Sequence, residues 1–260
     1  MILLYKYCED NDVTSASSFK MIPKKFQPLI KNKKLLPDIL KFLHWRRTRR
    51  SNSITQIYAD EEEQKDMEIC HPHCIKLLKK FLSGMKNLQT KRALDVAGGD
   101  GRLAKNLLVK QFNKVDLFDR CPTAIGIVRK ELKKDIAFGY AEIANMEDFK
   151  WEFPYSAVFM VWVSGYLNNA ALISFLRKAK LHLSMNGQMK RRKDAPSSFV
   201  FLLDNVLEDG TTKDPEKGQR FRTSGEYEVV FNEAGLVVHA QSEPTRMPLD
   251  FLNIKVWALY

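Results

Sequence analysis

The run Asp95-Val96-Ala97-Gly98-Gly99-Asp100-Gly101-Arg102 gathers residue types that suit ligand binding. Its glycines let the backbone turn sharply and approach a ligand that a Cβ would block. Asp119 follows about twenty residues on, where a carboxylate closing a second strand can accept hydrogen bonds from both hydroxyls of a ribose. An adenosine-containing ligand therefore fits, either a dinucleotide or S-adenosylmethionine. The spacing is not the dinucleotide pattern G-x-G-x-x-G; it is D-x-G-x-G-x-G with Ala97 at the first glycine. Asp95 and Asp100 bring negative charge to the turn, which disfavours a pyrophosphate and tolerates a cationic sulfonium. These features predict S-adenosylmethionine.

Such a turn has to sit at the carboxyl end of a strand in a doubly wound sheet. The surrounding pattern supplies one. Strand-like runs are predicted at Arg92–Val96, Lys114–Phe118, Ile136–Tyr140, Ala157–Trp162, Phe199–Leu203, Leu236–Ala240 and Ile254–Leu259. Helical runs alternate with them at Arg102–Phe112, Pro122–Leu132, Asn169–Leu183 and Glu226–Ala234, the last stopped by Gly235. A further helix is expected from Pro72, with Ile75, Leu78, Phe81 and Leu82 on one face and Pro72 in its first turn. Alternation of this kind implies an α/β fold with helices on both faces of a mostly parallel sheet. Two strands after the last helix imply an antiparallel closing hairpin.

The chain has 260 residues, 45% of them hydrophobic, enough for a sizeable core. Residues 1–55 are expected to form a basic arm and residues 56–260 the main domain. The net charge of +11 favours acidic partners, and the basic segments 45–50 and 189–193 are candidate nucleic-acid or nuclear-import contacts, or else solvated runs. No run is apolar enough to span a membrane, and four scattered cysteines do not make a disulfide framework. A soluble protein of the cytoplasm or nucleus, without membrane partners, is expected. Cys70-His71-Pro72-His73-Cys74 offers four ligand types without a distant second pair, so a helix N-terminus is expected there and no metal. Tyr227 and Phe231 are expected in a helix core, and Trp151, Phe153 and Tyr155 in apolar packing.

From about residue 68 the chain resembles the protein alpha-N-terminal methyltransferases, which act on the N-terminal amine of X-Pro-Lys proteins. The resemblance is carried by Ala93-Leu94-Asp95, Gly99-Asp100-Gly101-Arg102, Val115-Asp116-Leu117-Phe118-Asp119, Glu147-Asp148-Phe149, Trp162-Val163-Ser164-Gly165-Tyr166-Leu167 and Asp204-Asn205. It implies a class I methyltransferase fold, Rossmann-like, with a seven-stranded sheet. It implies that Asp95, Gly99, Gly101, Arg102 and Asp119 hold S-adenosylmethionine, with Arg102 on the methionine carboxylate. Met146 and Glu147 would lie near the adenine, and Val161 would line the pocket. Trp162 and Asn205 would bind a protein N-terminal peptide.

The departures fall on the substrate half. Tyr166 stands where the family has a histidine that helps accept the proton, and Lys217 falls near the family's aspartate base. Asp204, Asp214 and Glu216 are the nearest replacements, so Asn205, Tyr166 and Asp204 are the candidate catalytic residues. An α-amine has a pKa of only about 7.7–8.0, so a strong base is less critical than for lysine. The expected activity is an S-adenosylmethionine-dependent N-methyltransferase. A non-catalytic scaffold and an RNA methyltransferase are the alternatives.

Overall fold

The computed structural model describes residues 61–183, 196–210, 212–213, 219–247 and 252–260. The arm expected over 1–55, both basic segments, Asp214, Glu216 and Lys217 lie outside the described residues.

The described residues open on α1 (Glu61–Ser83), then β1 (Arg92–Val96), α2 (Arg102–Asn106), β2 (Lys114–Asp119), α3 (Pro122–Leu132) and β3 (Phe138–Ile143). Next come β4 (Ala157–Val161), α4 (Asn169–Leu181), β5 (Phe199–Leu207), β6 (Thr212–Lys213) and β7 (Arg220–Thr223). It ends with α5 (Ser224–Glu233), β8 (Val238–Gln241) and β9 (Asn253–Leu259). The main sheet runs β3-β2-β1-β4-β5-β9-β8. Its first five strands are parallel, and β9 lies antiparallel between β5 and β8. The order reverses between β1 and β4, which is where a doubly wound sheet opens a crevice for ligands.

β1, β4 and β5 are apolar on both faces because both faces are covered. On one side Leu78 of α1, Leu103 and Ala104 of α2, and Ile125 and Val128 of α3 pack on Phe159, Phe201 and Val256. On the other, Leu172 and Leu176 of α4 and Tyr227 and Phe231 of α5 pack on Val158, Leu202 and Trp257. Tyr227 and Phe231 are fully buried, as expected. Trp151 packs among Phe149, Tyr155, Phe175 and His182, also as expected.

Several elements depart from the sequence reading. α1 begins at Glu61, so Pro72 lies inside the helix and leaves the Glu68 carbonyl without its helical donor. Cys70, Cys74, Leu78 and Leu82 form one buried stripe, and that burial sustains the helix across the gap. The helix expected over Arg102–Phe112 breaks at Leu107 (φ −128°, ψ −56°) into a 3-10 turn. The change brings Phe112 edge-on to Phe159. β3 starts later than expected because the fully buried Asp116 accepts the Tyr140 N–H and shifts the β2–β3 register. α5 starts at Ser224, where Thr223 and Glu226 exchange the two bonds of a capping box.

β6 and β7 add two strands to the seven expected. β7 pairs with β5 at Val206 and Leu207. Val206 also faces Asn253 of β9, so β7 lies on the β4 side of β5, beyond the end of β4.

Ala97 has φ 49°, in the left-handed region. That conformation costs an L-residue about 1–2 kcal/mol, while a glycine there adds unfolded-state entropy of roughly 0.5–1 kcal/mol. Ala97→Gly should therefore raise stability by up to about 1 kcal/mol, read as a higher urea midpoint at unchanged slope. A lower midpoint would contradict the strain.

Candidate active site

The parallel ladder carries β1 into the glycine turn. The Gly98 N–H donates to the Phe118 carbonyl (3.1 Å), continuing the β1–β2 register past Val96. A Cβ at Gly98 would lie 2.6 Å from Leu117 and 2.7 Å from the Asp95 carboxyl carbon, so the close approach demands glycine. Gly99 and Gly101 both have positive φ (57° and 76°). The turn delivers Arg102 to the first residue of α2.

Asp119 ties the turn to the loop after β2. One carboxylate oxygen accepts the Gly99 N–H (3.0 Å) and the other the Cys121 N–H (2.8 Å). A carboxylate has about four acceptor positions. Each oxygen thus keeps capacity for a ribose hydroxyl. Arg102 is held by Nε to Asp100 (2.9 Å), with no hydrogen bond on its terminal nitrogens among the described residues. A guanidinium so held suits the carboxylate of an amino acid. Asp95 is buried, with one carboxyl oxygen lacking a hydrogen-bond partner among the described residues. Burial, reinforced by Asp119 and Asp100, pushes its pKa up to about 8. Met146 and Glu147 follow β3 at the same carboxyl edge, where the Ala144 N–H meets the Asp119 carbonyl.

The other half of the site follows β4 and β5. Val161 ends β4, and the Trp162 N–H continues the ladder to the Leu203 carbonyl (2.9 Å). Trp162 has φ 55°, a strained conformation for a bulky residue, and its indole N–H is buried without a partner among the described residues. Tyr166 closes a 3-10 turn at Ser164–Tyr166 and is 45% exposed.

Asp204 has the setting of a positioning group. One oxygen accepts the Ser164 N–H (3.1 Å) and hydroxyl, the other the Asn205 N–H (2.8 Å). Burial raises its pKa, opposed by the Ser164 and Asn205 bonds and by the Arg222 charge. Tyr227 reaches the Ser164 hydroxyl (2.9 Å). Fully buried Arg222 donates to the carbonyls of Ser164 and Leu167 and to the Asn169 side chain. This network fixes the turn that carries Trp162 and Tyr166. Sequence reasoning missed Ser164 and Arg222, because their pairing depends on β7 folding beyond β4; only the family run through Ser164 hinted at it.

Asn205 follows Phe201 and Leu203 on the α1-facing side of β5, by alternation. Past it, a groove of about 620 Å³ opens between the end of β5 and the first turn of α5, with Glu208, Asp209, Thr223 and Asn253 in its walls. It neighbours the glycine turn's edge of the sheet without covering the turn itself. All twelve sequence-predicted residues therefore fall at the carboxyl edge of the sheet: Asp95, Gly99, Gly101, Arg102, Asp119, Met146, Glu147, Val161, Trp162, Tyr166, Asp204 and Asn205. Among the described residues no His/Cys/Asp/Glu group is arranged to hold a metal; Cys70 and Cys74 are buried thiols on α1.

The sheet order and the glycine turn tied to the aspartate closing β2 define a class I S-adenosylmethionine-dependent methyltransferase fold. The solved structure of a SAM-dependent methyltransferase from Leishmania major shares it, with a TM-score of 0.68 at 21% identity over 91% of this chain and 90% of that one. A glycopeptide N-methyltransferase complexed with S-adenosylmethionine aligns with a TM-score of 0.54 at 14% identity, over 72% and 86%. The chain belongs to the AdoMet dependent proline di-methyltransferase family, whose model matches residues 60–260. It is 27% identical over 175 residues to an alpha N-terminal protein methyltransferase 1 of Oryza sativa, covering 64% of this chain and 53% of that protein. This chain thus spans about half the length of the plant relatives it matches. An N-terminal Xaa-Pro-Lys N-methyltransferase 1-B of Xenopus laevis is 27% identical over 192 residues, covering 71% and 79%.

The Asp95 setting has a pH signature. The folded carboxyl keeps its proton to about 8, whereas an unfolded aspartate loses it near about 3.9. Stability contributed by that proton is present below about pH 4 and is lost as pH rises toward about 8. Asp95→Asn carries no such dependence, so urea unfolding should move in the variant's favour across that window. Parallel curves for variant and wild type would contradict the burial argument.

Proposed function

We propose that this chain binds S-adenosylmethionine at the glycine turn and methylates the α-amine of protein N-termini. The observation that carries the reading is the meeting of two half-sites on one sheet edge. Asp119, Arg102 and the glycine turn form one, and Trp162 and Asn205 at the ends of β4 and β5 form the other. The family's cofactor and the N-terminal methyltransferase activity of the relatives support the same reading.

The Asp95 carboxyl oxygen that lacks a partner among the described residues and the Cβ-free approach at Gly98 suit a polar ligand held close to the backbone. Asp119 would accept from the ribose, and Arg102 would hold the methionine carboxylate. S-adenosylmethionine bound there supplies an electrophilic methyl group. Trp162 offers a buried N–H to a peptide carbonyl, and Asn205 offers both a donor and an acceptor. Glu208 and Asp209 in the groove favour a cationic N-terminal segment. Alignment of the amine is the protein's main task, because in-line displacement depends on near-attack geometry.

The test is labelled-methyl transfer to synthetic peptides with proline second, in free and N-acetylated forms. Label on the free α-amine alone is expected. Cofactor binding with no transfer to any peptide would leave the scaffold reading, and transfer to RNA only would leave an RNA methyltransferase.

A further inference from the structure

An ammonium must lose its proton before its nitrogen can attack, and the groups nearest the ends of β4 and β5 are poorly suited to take it. Asp204 already accepts three hydrogen bonds from Ser164 and Asn205. Tyr166 is a phenol, whose ordinary pKa of about 10 makes it a donor at neutral pH. Histidine is the side chain whose ordinary titration falls in this range.

Four histidines lie in the described residues. His182 ends α4 and stacks on Trp151 at the amino edge of the sheet. His239 on β8 packs against Phe199 and Tyr260. His73 is exposed on α1. His71, half-buried on the same helix, is within electrostatic reach of Arg102, Asp100 and Lys105. Among the described histidines it alone borders the glycine turn.

The packing of α1 explains that placement. Phe81 sits edge-on to Phe201, with ring centroids 6.4 Å apart. Cys74 is within electrostatic reach of Asp204. Seven residues of helix and three of strand each rise about 10 Å, so α1 climbs β5 in the opposite chain direction. One turn further toward its N-terminus, the same helix and strand rises put His71 at about the height of Asn205. Asn205 lies on the face of β5 that α1 covers. His71, Arg102 and Asn205 therefore stand on three elements on one side of the sheet, with His71 in electrostatic reach of Arg102.

We propose that His71 is the proton acceptor of this site, its imidazole taking the proton from the bound α-ammonium to give a neutral amine and an imidazolium that discharges to solvent. The proposal rests on the amine-methylating reading above. Its surroundings keep the imidazole ready. Burial and then Arg102 lower its pKa below the usual 6.5, Asp100 opposes, and Lys105 adds to the lowering. On its own helix the neighbours are the buried thiols Cys70 and Cys74, the latter's pKa pushed up by burial. On β5 the nearest ionisable group is Asp204. The Arg102 charge also lowers the pKa of an ammonium held beside it, which brings donor and acceptor closer.

The experiment pairs nitrogen-detected NMR titration of the histidine rings with kinetics of wild type, His71→Gln, His71→Asn and the exposed control His73→Gln. In the wild type the His71 ring should titrate below 6.5 and shift when S-adenosylhomocysteine is added, whether or not any peptide is methylated. With a methylated peptide, His71→Gln and His71→Asn should lower kcat about a hundredfold and abolish the acid limb of its pH profile. Their S-adenosylhomocysteine affinity should stay within about threefold of wild type, less than 1 kcal/mol, and His73→Gln should match wild type throughout. A His71 ring indifferent to S-adenosylhomocysteine would overturn the placement even if the chain methylates nothing. An intact acid limb in folded His71 variants, or loss of their cofactor binding, would overturn the role.

Discussion

The Asp119 carboxylate is the constraint on which the cofactor half depends. It closes β2 and reaches across to the loop after β1, taking Gly99 on one oxygen and Cys121 on the other. Without that link, a glycine-rich loop would keep most of its conformational freedom, and ordering it would fall to the ligand. The ladder bond from Gly98 to Phe118 brings the two loops close enough for the link to form. The parallel register of β1 and β2, itself set by burial on both faces, is therefore converted into a preorganised turn. Arg102 and α2 follow from that turn, and α1 packs over the result.

The substrate half is organised by a different principle. Arg222 and Asp204 are both buried, and they are satisfied chiefly by the backbone and hydroxyl groups of the Ser164–Asn169 segment. A buried guanidinium with three acceptors of fixed position locks a loop more tightly than apolar packing does. The strained backbone at Trp162 lies just before this locked segment, where its surroundings can hold it. Asp95 and Asp204 are both buried carboxyls with raised pKa, yet they differ. Among the described residues Asp95 has an oxygen without a partner beside the glycine turn, whereas both oxygens of Asp204 are occupied. That contrast separates a carboxyl with an open acceptor position from one given to architecture.

Features governed by local chemistry were legible in the sequence. β1 and α3 have the bounds their apolar runs and Pro122 indicate, and the glycine turn with Asp119 is a short-range pattern. Features set by distant contacts were not. Pro72 reads as a helix start because the stripe that carries α1 through it is balanced by the sheet, not by the helix alone. The shift of β3 arises from one buried aspartate on the neighbouring strand. β6 and β7 pair over two residues each, too short to leave a periodic trace. Around the site, Arg222 gains its meaning only when β7 folds beyond β4, and the nearness of His71 to Arg102 only when α1 packs over the sheet.

Asp119 and the turn it anchors are the proposed cofactor site. Calorimetric titration with S-adenosylhomocysteine, run on wild type and Asp119→Ala side by side, tests it most directly. The account predicts saturable one-to-one binding by the wild type and a loss of at least about tenfold in the variant, roughly 1.4 kcal/mol. Equal affinity in the two proteins, or no heat from a folded wild type, would contradict it.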